Sequence, residues 1–389
     1  MKVLFFFNLV PEKLGALEWM LIAVGEEFRR HDDELVLAFA AEPVEDLGAR
    51  FREAGLRWHV LEGWSEGGGV EHPWAYCLPA LRTLKVERPD VAAVHFGNEL
   101  PALVTSLLAP LVGVRRQCWV WQQHQQIQDP GWLGKRISRI RLLSLRFDHF
   151  IGVYTGGKRS MCLRGVPENR VSVNHNAIHD QARERSPGWL RQELELPEDS
   201  VLIATTGWII PRKRMEFIVR GFANVVDDAE KHCALLIVGD GPEKDRLSQL
   251  ASDLGISDRV AFLGLRRDVR EVLFESDLLV HASLAETCTY AITESMAVGI
   301  PAVVTEAGAA HEQIASGESG WVVARDDAEG FAKHLLELAD DAPLRHRLGT
   351  EARKRFEQSF RIEQSAEAFH ETYRQLAADR DASQTVAST

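Results

Sequence analysis

The chain is poor in several things, and each shortage excludes something. It has five cysteines in 389 residues, at positions 77, 118, 162, 233 and 288. They are scattered, odd in number and never paired as CxxC, so neither a zinc site nor a disulfide framework is expected, and a reducing cytoplasm fits. No apolar run approaches the roughly 20 residues that cross a bilayer. The opening KVLFFFNLV (2–10) is too short for a signal sequence and runs straight into Pro11, so it reads as a buried strand. Positive charge is in deficit: 45 Lys and Arg against 57 Asp and Glu leave a formal net charge of −12. That argues against a nucleic-acid partner, because phosphate backbones need a basic surface. The strand–loop–helix start lacks GxGxxG, which speaks against a dinucleotide-binding Rossmann site. The one DxD, Asp379 with Asp381, lies in a polar end, 379–389, that reads as disordered, so no metal site is expected.

The remainder is ordinary globular composition, 45% hydrophobic and 26% charged, in a chain long enough for two domains with separate cores. One stretch organises it: HASLAETCTYAITESMAVGIP (281–301). An apolar strand, DLLVHAS, precedes it, and Gly299 and Pro301 stop the helix that follows. Thr287 or Thr289 can cap the start of that helix. Glu286 then sits at the mouth of a strand-to-helix turn, with Glu294 inside the helix and seven residues between them. Eight helical positions rise about 12 Å. Two carboxylates that far apart cannot flank one glycosidic bond, which needs roughly 5–10 Å. They suit the two ends of a long polar ligand, with an anion at the helix N-terminus between them. Sugar, phosphate and ribose in that order describe a nucleotide sugar. The bland alternative is an exposed acid on a surface helix.

These motifs, with LLIVGDGPEKDRLSQLASDLGISDRVAFLG (235–264), the run 277–314 and SGWVV (319–323), resemble the retaining glycosyltransferases of family 4, which have the GT-B fold. The likeness is good in the C-terminal half and looser in the N-terminal half. It implies an α/β architecture of two Rossmann-like domains facing across a cleft. The segments it suggests are an N-terminal acceptor domain (1–180), a linker (181–199), a donor domain (200–362), a crossover helix returning to the first domain (363–378) and the tail (379–389). The implied reaction moves a sugar, with retention, from a nucleotide diphosphate sugar to an acceptor hydroxyl, with no metal or other cofactor. Its catalytic residues would be Glu286, Lys213 and His124, the last at a strand tip where the family's histidine faces the donor sugar. The donor would meet Gly15, Arg212, Lys213, Gly241, Leu265, Arg266, Glu286, Thr287, Cys288, Thr289, Tyr290 and Glu294. Two departures stand out. Trp208 occupies the place of the family's phosphate-binding Arg, leaving Arg212 or Arg214 to replace its charge. Thr287, Cys288 and Thr289 stand where the family has glycines.

Seven of the ten tryptophans lie before residue 133, in the domain that the resemblance makes the acceptor's. Trp119 and Trp121 alternate on a strand and suit a core. Trp64, Trp74 and Trp132 fall in expected loops, where aromatic faces suit the sugar rings of a carbohydrate or glycoconjugate acceptor. The pattern KRISRIRLLSLRF (135–147) is basic and amphipathic. It suits either a packed helix with solvated arginine heads or a weak contact with the inner face of a membrane. Two rivals remain: another GT-B enzyme, such as a nucleotide-sugar epimerase or a phosphorylase, and a non-catalytic nucleotide-sugar-binding protein.

Overall fold

Apolar strands alternating with amphipathic helices dictate a layered α/β architecture, and the computed structural model shows two such layered units. It describes residues 1–389 apart from 8–10, 13, 62–72, 96–104, 115, 122–144, 227, 230–231 and 387–389, with backbone alone for 73–76, 121 and 379–386. One unit comprises residues 1–179 with 362–389, the other 180–361.

The first unit holds strands β1 (Lys2–Phe7), β2 (Glu34–Phe39), β3 (Arg57–Val60), β4 (Val91–His95), β5 (Arg116–Trp121), β6 (His149–Gly152) and β7 (Val171–Val173). All are parallel, in the order β3-β2-β1-β4-β5-β6-β7. Helices α1 (Ala16–Arg30), α2 (Glu45–Glu53), α3 (Pro73–Glu87) and α4 (Thr155–Leu163) accompany them. Strand β1 is buried on both faces, as a continuous apolar run in a parallel sheet should be. Phe5 and Phe7 join one core with α1, while Leu4 and Phe6 join Trp119 and Phe150 in another. Helix α1 completes the strand–loop–helix start, over Ala16–Arg30, where apolar residues at helical spacing predict it.

The second unit repeats the plan. Strands β8 (Val201–Thr206), β9 (Cys233–Val238), β10 (Val260–Gly264), β11 (Leu278–His281), β12 (Ala302–Thr305) and β13 (Gly320–Val323) form a parallel sheet in the order β10-β9-β8-β11-β12-β13. Its helices are α5 (Trp189–Glu193), α6 (Met215–Ala223), α7 (Lys244–Asp253), α8 (Val269–Glu275), α9 (Tyr290–Val298), α10 (Ala310–Gln313), α11 (Ala328–Asp340) and α12 (Ala342–Ser359). In each sheet the order reverses once, between β1 and β4 and between β8 and β11. The carboxyl ends of strands at such a reversal are where open α/β sheets bind ligands.

Two segment boundaries differ from expectation. The stretch 181–199 is not a loose linker. Leu190 is fully buried, the Gly188 amide donates to both Glu275 carboxylate oxygens at 2.9 Å, Arg183 pairs with the same Glu275, and Arg191 pairs with Asp277 at 2.9 Å. Two of its arginines, Arg183 and Arg191, are held in these pairs. The last helix, α13 (Ile362–Val386), replaces both the shorter crossover helix and most of the tail expected after 378. No glycine or proline interrupts 362–386, so nothing in the chain stops the helix. It returns to the first unit as the resemblance implies: Ile362, Phe369, Tyr373 and Leu376 enter the α1 core, and His370 Nε2 lies 2.7 Å from Asp33. Among the described residues no helix is long and apolar enough to cross a membrane. Positions 135–144 of the basic pattern lie outside them.

Candidate functional site

Strands β8 and β11 flank the reversal of the second sheet, and the loops leaving their carboxyl ends build the site. After β8, Gly207 (φ 135°) turns the chain into a short 3-10 turn, Pro211–Lys213, and α6 begins after Arg214. A neighbouring turn supports this loop at backbone distance. Gly239 has φ 143°, and a Cβ there would lie 1.9 Å from the Gly207 carbonyl oxygen. A Cβ on Gly241 would meet the Ile209 carbonyl oxygen at 2.4 Å. Gly241 therefore serves close packing of two backbones.

The loop after β11 is laced to the first. The Leu284 amide donates to the Arg212 carbonyl at 2.9 Å, and Arg212 Nη1 donates to the Ala285 carbonyl at 2.6 Å. Both loops then converge on one carboxylate. Lys213 Nζ donates to Glu286 Oε1 at 2.6 Å, and Arg212 Nη1 to the same oxygen at 3.1 Å. His281 Nε2, at the end of β11, stands 3.6 Å from it, beyond hydrogen-bonding range. Burial pushes the Glu286 carboxyl up, but the His281 ring and the Lys213 ammonium beside it outweigh this and hold it well below the usual carboxylate range. Burial lowers the His281 pKa, and the fixed cations that face Glu286 are Lys213 and Arg212. Arg214 turns the other way, to Asp326 at 2.8 Å and the Arg325 carbonyl at 2.7 Å. Of the two arginines that could replace the one missing at Trp208, the structure brings only Arg212 to the site. Trp208 itself is 63% exposed.

Glu294 lies on α9, half-buried, and burial raises its carboxyl to about 7 against the opposing charge of Arg270. Thr287, Cys288 and Thr289 are buried ahead of the helix, and Tyr290 is its first residue. Thr289 occupies the capping position, but its hydroxyl does not cap the helix, contrary to the sequence expectation. Gln313 instead holds the backbone of this turn: its Oε1 accepts from the Thr289 amide at 3.2 Å, and its Nε2 donates to the Thr289 carbonyl and the Thr293 hydroxyl, each at 2.8 Å. Gly308 (φ 52°) packs against the same turn, where a Cβ would lie 2.2 Å from the Thr287 carbonyl oxygen.

Leu265, after β10, is 78% exposed. The Arg266 side chain is engaged with Asp268 and Glu193 and lies over the Trp189 ring, which leaves backbone groups for a ligand there. In the first unit, the Gly15 amide at the start of α1 donates to Glu18 Oε2 at 2.9 Å. His124, Trp64 and Trp132 lie outside the described residues. Trp74 is not in a loop: Pro73, whose φ suits a first helical position, starts α3, and Trp74 follows within its first turn. The sequence reading missed His281, Gln313 and Gly308. A lone histidine at a strand end and a glutamine beside the more conspicuous Glu312 carry no pattern of their own.

Comparison with known proteins agrees with this geometry. Residues 189–355 match the family model described as glycosyl transferases group 1. The chain is 30% identical to N-acetyl-alpha-D-glucosaminyl L-malate synthase of Bacillus anthracis over 55% of its length and 56% of that protein's. It is 33% identical to the lipopolysaccharide core biosynthesis glycosyltransferase LpsE of Rhizobium meliloti over 49% of its length and 53% of that protein's. It thus spans about half the length of these curated relatives. A longer match, at 25% identity over 86% of this chain and 88% of the relative, is to a GDP-mannose-dependent phosphatidylinositol monomannoside mannosyltransferase of Mycolicibacterium smegmatis. Among solved structures, Anabaena HepE in complex with UDP superposes with a TM-score of 0.78 at 20% identity, covering 96% of this chain and 100% of that one. Sucrose-phosphate synthase of Thermosynechococcus elongatus gives 0.73 at 17% identity, covering 97% and 99%. The fold is GT-B.

Proposed function

We propose that this chain, a GT-B protein whose segment 189–355 matches glycosyl transferases group 1, is a retaining glycosyltransferase of the family 4 type. It moves a sugar from a nucleotide diphosphate sugar to a hydroxyl of a carbohydrate or glycoconjugate. The observation that carries this reading is the meeting of Lys213 and Arg212 with Glu286 at the carboxyl ends of β8 and β11. In the free chain the two cations neutralise Glu286. An incoming diphosphate competes for them, and Glu286 becomes available to hydroxyls of the donor sugar. As the glycosyl bond breaks, negative charge grows on the leaving diphosphate, and fixed cations aimed at it stabilise the transition state. Glu294, further along α9, accepts the ribose hydroxyls. His124 is assigned to the sugar's other side by resemblance alone.

In this scheme Lys213, Arg212 and helix amides carry the leaving-group charge and no metal is required; turnover should survive chelation, and loss of activity in EDTA would reject that part. The reading places the chain in the cytoplasm. The relatives and structural neighbours named above are described with GDP-mannose, N-acetylglucosaminyl transfer or UDP, so both uridine and guanosine sugars belong in the screen. The test is a thermal-shift screen of UDP, GDP, ADP and TDP sugars, since a ligand that binds only the folded state raises its melting point. Product analysis of the stabilising donor, with and without sugar acceptors, follows. Transfer with retained anomeric configuration supports the reading; inversion rejects retention. An epimerised donor, or phosphate-dependent cleavage, identifies another GT-B enzyme. Stabilisation without turnover, which exposed Trp208 in place of an arginine would favour, identifies a binding protein.

A further inference from the structure

His281 is buried to 97%, and its Nε2 has no hydrogen-bond partner among the described residues. A buried polar nitrogen without a partner costs free energy. This one faces the carboxylate on which Lys213 and Arg212 converge. Glu286 Oε1 is 3.6 Å away, and that oxygen already accepts from Lys213 at 2.6 Å and Arg212 at 3.1 Å. Glu286 is itself 92% buried, so it needs a donor or a counter-charge at every stage of the cycle.

The two cations cannot serve a diphosphate and Glu286 with equal strength. When phosphate oxygens draw them off, a buried carboxylate is left, and of the basic side chains within 4 Å of it among the described residues the His281 ring remains. We propose that His281 is a positioning residue: as a diphosphate takes Lys213 and Arg212, its Nε2–H closes the 3.6 Å gap and becomes the donor that keeps the Glu286 carboxylate ionised and aimed. The free chain holds this nitrogen idle because the cations do its work. The inference rests on the proposed use of Lys213 and Arg212 for a diphosphate, but not on the identity of the nucleotide, the sugar or the acceptor.

Inorganic pyrophosphate is the probe. The groups that face the His281 ring are Glu286, Lys213 and Arg212. Its titration can be followed by nitrogen-15 NMR in the full chain, with the His281→Gln spectrum assigning the signal. Saturating pyrophosphate should move the ring's midpoint upward by roughly one pH unit or more, because a carboxylate freed of its cations favours the protonated ring. In Glu286→Gln the shift should largely vanish, which separates the carboxylate's effect from that of the added anion. An unmoved midpoint, an equal shift in Glu286→Gln, or no pyrophosphate binding overturns the proposal. If instead nucleotide sugars fail to bind while pyrophosphate still moves His281, the nucleotide-sugar reading falls and the positioning role stands. Where a donor turns over, His281→Leu should lower kcat roughly tenfold or more with donor KM little changed, and His281→Gln, which retains an N–H near the same place, should recover much of it. Equal, wild-type kcat in both variants would also overturn the role.

Discussion

At the scale of single residues, the proposed site is a set of charges whose partners should change when a ligand arrives. Burial holds Glu294 at about 7 in the free chain, above its ordinary value. On the proposed assignment ribose hydroxyls donate to the ionised carboxylate, so binding would lower that pKa and release a proton below pH 7. Affinity for a nucleoside diphosphate should therefore fall as pH drops from 8 to 6, by up to about tenfold from this group. Calorimetry on Glu294→Gln, which keeps the titration of the phosphates, should show a flatter dependence and weaker binding at pH 8, by about 1–3 kcal/mol. The stability sign is the opposite one. The folded pKa lies above the unfolded value, so the favourable protonated form is lost as pH rises through about 7, and Glu294→Gln should melt higher than the wild type at pH 8. Among the cations, Lys213→Ala should lower kcat more than donor affinity, because leaving-group charge is greatest in the transition state. Arg212→Ala should weaken diphosphate binding by about 1.5–3 kcal/mol, and Arg214→Ala should not, since its side chain serves Asp326. Equal losses from the two arginines would show that the Trp208 position is compensated differently.

At the scale of elements, a single turn sets where Glu286 and Glu294 stand. The turn ahead of α9 has no side-chain cap of its own and relies on Gln313 from α10. Gln313→Leu keeps the volume but strands the buried Thr289 amide, at about 1–3 kcal/mol, while the Thr289 carbonyl keeps the Thr293 amide as a donor. Its melting temperature should drop, and nucleotide affinity should drop with it because Glu286 and Glu294 lie on either side of Thr289. Gly308→Ala tests the same turn by steric means. Its backbone is left-handed, and a Cβ would press on the carbonyls of Glu286 and Thr287 at 2.5 and 2.2 Å. Donor affinity that survives this substitution unchanged would show that the turn does not set the site.

At the scale of the whole molecule, the last helix belongs to the first unit although it follows the second in the chain. Tyr373 is fully buried in the α1 core, beside Phe5 and Phe28. Tyr373→Ala should cost about 3–5 kcal/mol, the usual loss for a large buried aromatic. Limited proteolysis should then cut the first unit while fragments from 180–361 persist. Equal sensitivity of both units would mean that they do not unfold separately.

The sequence alone determined the α/β class, the first buried strand, the span of α1, and the strand–turn–helix around Glu286 and Glu294. It could do so because period, length and helix stops are local properties of the chain. The glycines at 239 and 241 were legible as places of close approach, but not what they approach. Tertiary structure decided what depends on a distant partner. It chose Arg212 over Arg214, because Asp326 claims the latter. It placed His281 beside Glu286, and Gln313 against the backbone of Thr289. It anchored 181–199 through Glu275 and Asp277, residues some 80 to 90 positions away along the chain. A carboxylate's partner and a buried group's pKa are set by neighbours across the fold, and one-dimensional pattern carries no record of them.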